Sequence, residues 1–168
     1  LGRIVSARVL DSQGLFPDQS LWEADLVEAI EYCIEQGARV INLSVGDATK
    51  PFMPPRQHAA SALVDSLARI HDVVIVASVG NSDPWLYQAS EDPSRTYVTD
   101  LLENPDTGVL APGTAALALT VGGISKTRSA GAHASMEPVE RRPFGQPGWP
   151  STATRRGAGV GDSLKPEL

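Results

Sequence analysis

Apolar positions along this chain follow two different periods. Trp22, Leu26, Ile30, Cys33 and Ile34 recur at helical spacing, which predicts a single apolar stripe on a helix that Gly37 terminates. Ser20 followed by Glu23 predicts a capping box at its start, where each side chain satisfies the other's free backbone donor. A second stripe, Ala60, Leu63, Val64, Leu67 and Ile70, comes after Pro54 and Pro55 and predicts another helix. Between and around these stripes lie short apolar runs from Arg3 to Leu10, from Arg39 to Ser44 and from Asp72 to Asn81. The last contains Val73, Val74, Ile75 and Val76 in succession, which suits a strand buried on both faces of a helix-covered sheet. Ala115 to Ile124 restores that pattern further on. The order β-α-β-α-β with short connections predicts an α/β fold with a doubly wound parallel sheet and right-handed crossovers.

Two stretches break the rhythm. Residues 82–108 are polar, carry Pro84, Pro93 and Pro105, and read as a surface insertion with room for a short helix around Ser94 to Glu103. Residues 126–161 are rich in Gly, Pro, Ser and Arg without any period, so they read as loop. Asp11-Ser12-Gln13-Gly14 has the residues of a turn.

Composition narrows the class. With 168 residues, 42% of them hydrophobic, the chain can bury a sizeable core as one domain. A net charge of -6 argues against nucleic acid or an anionic membrane surface as partner, because phosphate binding needs a basic face. No apolar run approaches the roughly 20 residues needed to cross a bilayer. The opening Leu1-Gly2-Arg3 has no signal-peptide pattern and reads as the start of a piece of something longer. A single cysteine, Cys33, excludes an internal disulfide and a multi-cysteine metal site, and its place on the first stripe reads as core packing.

Candidate chemistry concentrates at strand ends. Asn81 closes the Asp72 to Asn81 run, at the carboxyl end of a strand, where open α/β sheets place their ligands. Its amide can donate a hydrogen bond into a cleft there, although Gly-Asn is also ordinary turn chemistry. Ser44, in Asn42-Leu-Ser-Val-Gly46, is one residue short of a Gly-x-Ser-x-Gly nucleophile elbow, but no helix pattern follows at once. No Gly-x-Gly-x-x-Gly or Gly-Lys-Ser/Thr loop supports nucleotide binding. Asp83, Glu91, Asp92, Asp100, Glu103 and Asp106 gather carboxylates in the insertion, with a spacing that fits no calcium loop and suits a solvated acidic surface.

Taken together, the runs resemble a known family. Arg3-Ile-Val-Ser-Ala-Arg-Val-Leu-Asp11, Val40-Ile-Asn-Leu-Ser-Val-Gly46, Val73-Val-Ile-Val-Ala-Ser-Val-Gly-Asn81 and Ala118-Leu-Thr-Val-Gly-Gly123 look like the successive strand motifs of subtilisin-like serine peptidases, in the family's order. Ser163-Leu-Lys-Pro-Glu-Leu168 resembles the lead into the strand before the family's nucleophile. The resemblance implies a three-layer subtilisin-like sheet, here incomplete, and a polypeptide substrate. It implies that Asn81 is the side-chain donor of an oxyanion hole, that Ser44-Val45-Gly46 is an edge pairing an extended peptide, and that Ser78-Val79-Gly80 is a wall of the primary specificity pocket. Glycines at 46 and 80 would let another backbone approach closely. Val79 is bulkier than the residue usual at that place, which argues against a preference for large aromatic side chains. A cis Ala111-Pro112 bond is also implied. No cofactor is, apart from the calcium that such loops often bind in the family.

The family's triad runs Asp, His, Ser in chain order, and the resemblance sets this stretch between the His and the Ser. None of His58, His71 and His133 matches the family's histidine. The expectation is part of a serine endopeptidase that is inactive alone and self-associates through unpaired strand edges. The alternative is a degenerate, non-catalytic peptidase domain used as a peptide-binding or scaffolding module.

Overall fold

The computed structural model describes residues 2–48, 52, 56–82, 97–126, 147–151 and 153–168. Its elements follow one another as α1 (Trp22–Glu35), β1 (Val40–Leu43), α2 (Ala59–His71), β2 (Val74–Ser78), α3 (Tyr97–Glu103), β3 (Leu119–Val121), β4 (Gly157–Ala158) and β5 (Leu164–Lys165). Strands β1, β2 and β3 form a parallel sheet in that order, while β4 and β5 make a small antiparallel ladder. The fold is α/β, as the alternating periods predict.

Helix α1 buries Trp22, Leu26, Ile30 and Cys33, the stripe expected of it. Its end is a Schellman turn: Gly37, at φ +87°, donates to Ile34, and Ala38 donates to Cys33. The start differs from expectation. Asp18 Oδ1 accepts from both the N–H and the hydroxyl of Ser20, so the serine is committed to a turn and Leu21 becomes the N-cap without a side-chain bond. Helix α2 is capped by His58, whose Nδ1 accepts from Ala60 N–H. It buries Ala60, Ser61, Val64, Leu67 and Ala68, a face rotated from the expected one, so that Leu63 and Ile70 point outward. Pro54 and Pro55 lie outside the described residues.

Both helices share one core with the inward residues of the sheet, Ile41, Leu43, Ile75 and Ala77. The opposite face is open. Val40 is 66% exposed and Val74 48%, which corrects the expectation of a run buried on both sides: among the described residues, no helix covers that face. Residues 3–10 are also corrected. Their burial alternates as in a strand, yet they belong to no ladder. A gap of about 750 Å³ lies between Arg3–Val9 and Val40–Val45, floored by α1.

Residues 115–118, expected in the fourth strand, instead form a turn before β3. Asp65 fixes it by accepting from the N–H groups of Ala116 and Leu117. The Ala111-Pro112 bond is cis, as the family resemblance implies, and so is Lys165-Pro166. In the insertion, α3 lies within the expected short helix, while Asp83, Glu91 and Asp92 are outside the described residues. The expected loop at 126–161 also needs correction, because residues 153–158 pair with distant parts of the chain. His133 is again outside the described residues.

Candidate active site

Parallel register builds the site. Leu43 pairs with Ala77, so the Ser-Val-Gly sequences that follow, residues 44–46 and 78–80, lie side by side. They open into a cleft of about 580 Å³ lined by Ser44, Val45, Gly46, Ser78, Gly80 and Asn81. Six of the seven residues singled out in the sequence therefore meet in one place. Leu15, Phe16 and Trp22 close one end, and Leu110 is also in the wall. Asp11 folds the loop that presents these apolar groups, its Oδ1 accepting from Gln13 and Leu15 N–H groups at 2.8 and 3.0 Å. Those bonds, Leu15 first and Gln13 next, hold the Asp11 carboxyl below its ordinary range.

Val79 is the exception. Its side chain is buried and is absent from the cleft lining. Its backbone is committed too, donating to Val121 at 2.9 Å and accepting from Leu110 at 3.1 Å.

The two glycines are required by the chain itself. A Cβ on Gly46 would lie 3.0 Å from the Ala111 carbonyl, and one on Gly80 would lie 2.6 Å from Leu110 Cδ1. Gly80 also holds φ +91°, a region that a side chain disfavours. The backbone that approaches Gly46 closely is that of Ala111, while at Gly80 the close neighbour is the Leu110 side chain. Asp47 N–H donates to Ala111 at 3.2 Å; among the described residues, the backbones of Val45 and Gly46 make no hydrogen bond.

Asn81 is exposed and lines the cleft, and its side chain makes no hydrogen bond among the described residues. Its backbone, by contrast, is held by residues 153–155. Asn81 and Thr154 form an antiparallel bridge, Ser82 N–H donates to Ala153 at 2.9 Å, and Ser82 Oγ donates to the Thr154 carbonyl at 3.0 Å. Arg155 Nε donates to the Asn81 carbonyl at 2.7 Å.

Among the described residues, Ser44 lacks the surroundings of a nucleophile. Its Oγ accepts from Asn42 Nδ2 at 2.9 Å, and the backbone after it continues without a helix. His58 stacks on Trp22 with its Nδ1 used for capping, and His71 ends α2.

The profile of the Subtilase family matches residues 1–168. The chain belongs to the subtilase family. Among curated proteins this subtilase is 33% identical over 134 residues to the uncharacterized protein y4bN of Sinorhizobium fredii (strain NBRC 101917 / NGR234), covering 80% of this chain and 31% of that protein. Among solved structures it is similar to MycP1 without its N-terminal propeptide (20% identity, TM-score 0.44, 85% of this chain and 40% of that one). It is also similar to the prenylagaramide maturation protease PagA (18%, 0.41, 77% and 33%) and to the S218A protease domain of PatA (22%, 0.40, 61% and 28%). The subtilase chain thus spans about a third of the length of these relatives. Sequence reasoning missed Leu110, Phe16 and Arg155. Phe16 follows a recognisable turn, but Arg155 stands in sequence without any period.

Proposed function

We propose that this chain is part of a serine endopeptidase that hydrolyses peptide bonds through an acyl-enzyme, and that it supplies the oxyanion donor and the substrate-binding edge. The observation that carries this reading is Asn81, a cleft-lining residue with a fixed backbone and a side-chain amide that makes no hydrogen bond among the described residues. Negative charge develops on the carbonyl oxygen as the tetrahedral intermediate forms, and a preorganised amide stabilises it without reorganising. The backbone of Val45 and Gly46, unpaired among the described residues, is suited to pairing with an extended peptide, and the apolar lining at Phe16 and Trp22 to holding one of its side chains.

The acid, base and nucleophile are supplied by polypeptide outside this chain, so the 168 residues alone turn over no peptide. The gap between residues 3–9 and β1 supports a larger sheet, because residues 3–9 alternate in burial as a strand does and lie across the gap from β1. A further strand of the complete domain fills it.

The test is Asn81→Ala in the longer polypeptide that contains this chain. The expected result is a fall in kcat of about 100- to 1000-fold with little change in KM, the size known for subtilisin's own asparagine donor and not obtained from this chain. Unchanged kcat would overturn the reading, as would peptidase turnover by the isolated chain that survives the substitution.

A further inference from the structure

We propose that Arg155 is a positioning residue for Asn81, fixing the peptide group of the oxyanion donor and so the direction of its amide. This rests on the reading of Asn81 given above. Arg155 is buried, 7% exposed, and its guanidinium is spread over backbone carbonyls. Nε donates to Asn81 at 2.7 Å, and Nη1 donates to Asp106 at 2.7 Å and to Gly108 at 3.0 Å. One rigid fork therefore ties the donor's own carbonyl to the segment that leads into Val109 and Leu110, and Leu110 in turn packs on Gly80. The aliphatic stem contributes as well: Arg155 Cδ lies 3.1 Å from where a Gly80 Cβ would be.

The physical need for such a clamp follows from the turn. Gly80 has no side chain and a positive φ, the most permissive position available to a backbone, and it immediately precedes the residue whose amide must be aimed. Gly80 supplies no restraint of its own, so the direction of the amide rests on the contacts beyond it, the Thr154 bridge, the Ser82 bonds and the Arg155 fork on the Asn81 carbonyl. Planar guanidinium geometry suits the task because its donors diverge at fixed angles, which a lysine ammonium cannot reproduce. Arg155 is not among the residues that line the cleft; it acts through Asn81.

The experiment is a double-mutant cycle in the longer polypeptide, comparing wild type, Asn81→Ala, Arg155→Met and the pair, with kcat, KM and thermal unfolding measured for each. Arg155→Met is expected to lower kcat by roughly 10- to 100-fold, the scale of an ångström-sized misplacement, with KM nearly constant. The double variant is expected to be no slower than Asn81→Ala alone, because a lost donor needs no aiming. Arg155→Lys should regain less than full kcat. If the two losses multiply, or if Arg155→Met lowers the unfolding temperature while kcat stays at the wild-type value, the proposal is overturned. If Asn81→Ala itself leaves kcat unchanged, the donor reading falls and this proposal falls with it. Should Arg155→Met fail to fold, the same cycle run with Arg155→Lys decides between these outcomes.

Discussion

The hydroxyls of Ser61 and Thr114 meet at 2.7 Å, both residues fully buried and 53 positions apart in the chain. This contact pins α2 to the turn that follows the cis Ala111-Pro112 bond, and it lies inside apolar packing. Removing one hydroxyl strands the other without water. Ser61→Ala or Thr114→Val alone should each cost about 1–3 kcal/mol. The pair together should cost less than the sum of the single changes, because no orphaned group remains. Denaturant unfolding of the four proteins measures the difference; additive losses would contradict it.

Gly80 should tolerate no side chain. An added methyl would meet Leu110 Cδ1 at 2.6 Å and Cγ at 2.7 Å in a backbone already at φ +91°. Gly80→Ala is expected to destabilise by about 2–4 kcal/mol, combining the left-handed penalty with overpacking. Gly14, at φ +77° with nothing within 4 Å, is the control. Gly14→Ala should cost only about 1–2 kcal/mol, and trimming Leu110 to Ala should recover part of the Gly80→Ala loss but none of the other.

Glu167 gives the C-terminal segment an acid sensitivity. Burial pushes its carboxyl up, but the hydrogen bond from Lys165, the Thr120 N–H and the lysine's charge outweigh this and leave it below its ordinary value of 4.5. A depressed folded pKa means stability that is present above the unfolded value and lost as pH falls through the folded one. The unfolding temperature should therefore drop more steeply below about pH 4.5 in the wild type than in Glu167→Gln, with the two curves parallel above it. Equal slopes in acid would contradict the assignment. The effect should be modest, since the Glu167 side chain is 35% exposed and partly screened.

Association of the isolated chain should occur through the sheet. Val40, Val74, Leu119 and Val121 expose apolar surface on one face, and β1 is an edge among the described strands, a template for pairing with another chain. Val40→Lys should lower the apparent mass seen by light scattering at high concentration. A wild-type chain that stays monomeric throughout would sink this expectation.

Legibility in the sequence followed the range of the interactions. Stripes such as Trp22, Leu26, Ile30 and Cys33 are local, so periodicity exposes them, and the strand ends at Gly46 and Gly80 carry residue types that few other positions need. Outward-facing Leu63 and Ile70 were misplaced because a wide apolar stripe does not say which edge meets the core. Openness of the Val40 and Val74 face could not be read, since a β-branched run looks the same whether one face is covered or two. Residues 3–10 alternate like a strand, but pairing is a property of the neighbour. The 153–155 segment was invisible for another reason: its contacts to Asn81 run largely through backbone groups, and residue type says little about those.

The distance in sequence between the proposed donor and its proposed restraint has its own consequence. Asn81 and Arg155 are 74 residues apart, and such long loops close only after nearer contacts have formed. A chain folded only as far as β2 has two of the three sheet strands, while Leu110, which packs on Gly80, and Arg155 are not yet in place. In the proposed mechanism the aim of the amide is therefore a non-local property, acquired only when residues 153–155 have reached the end of β2.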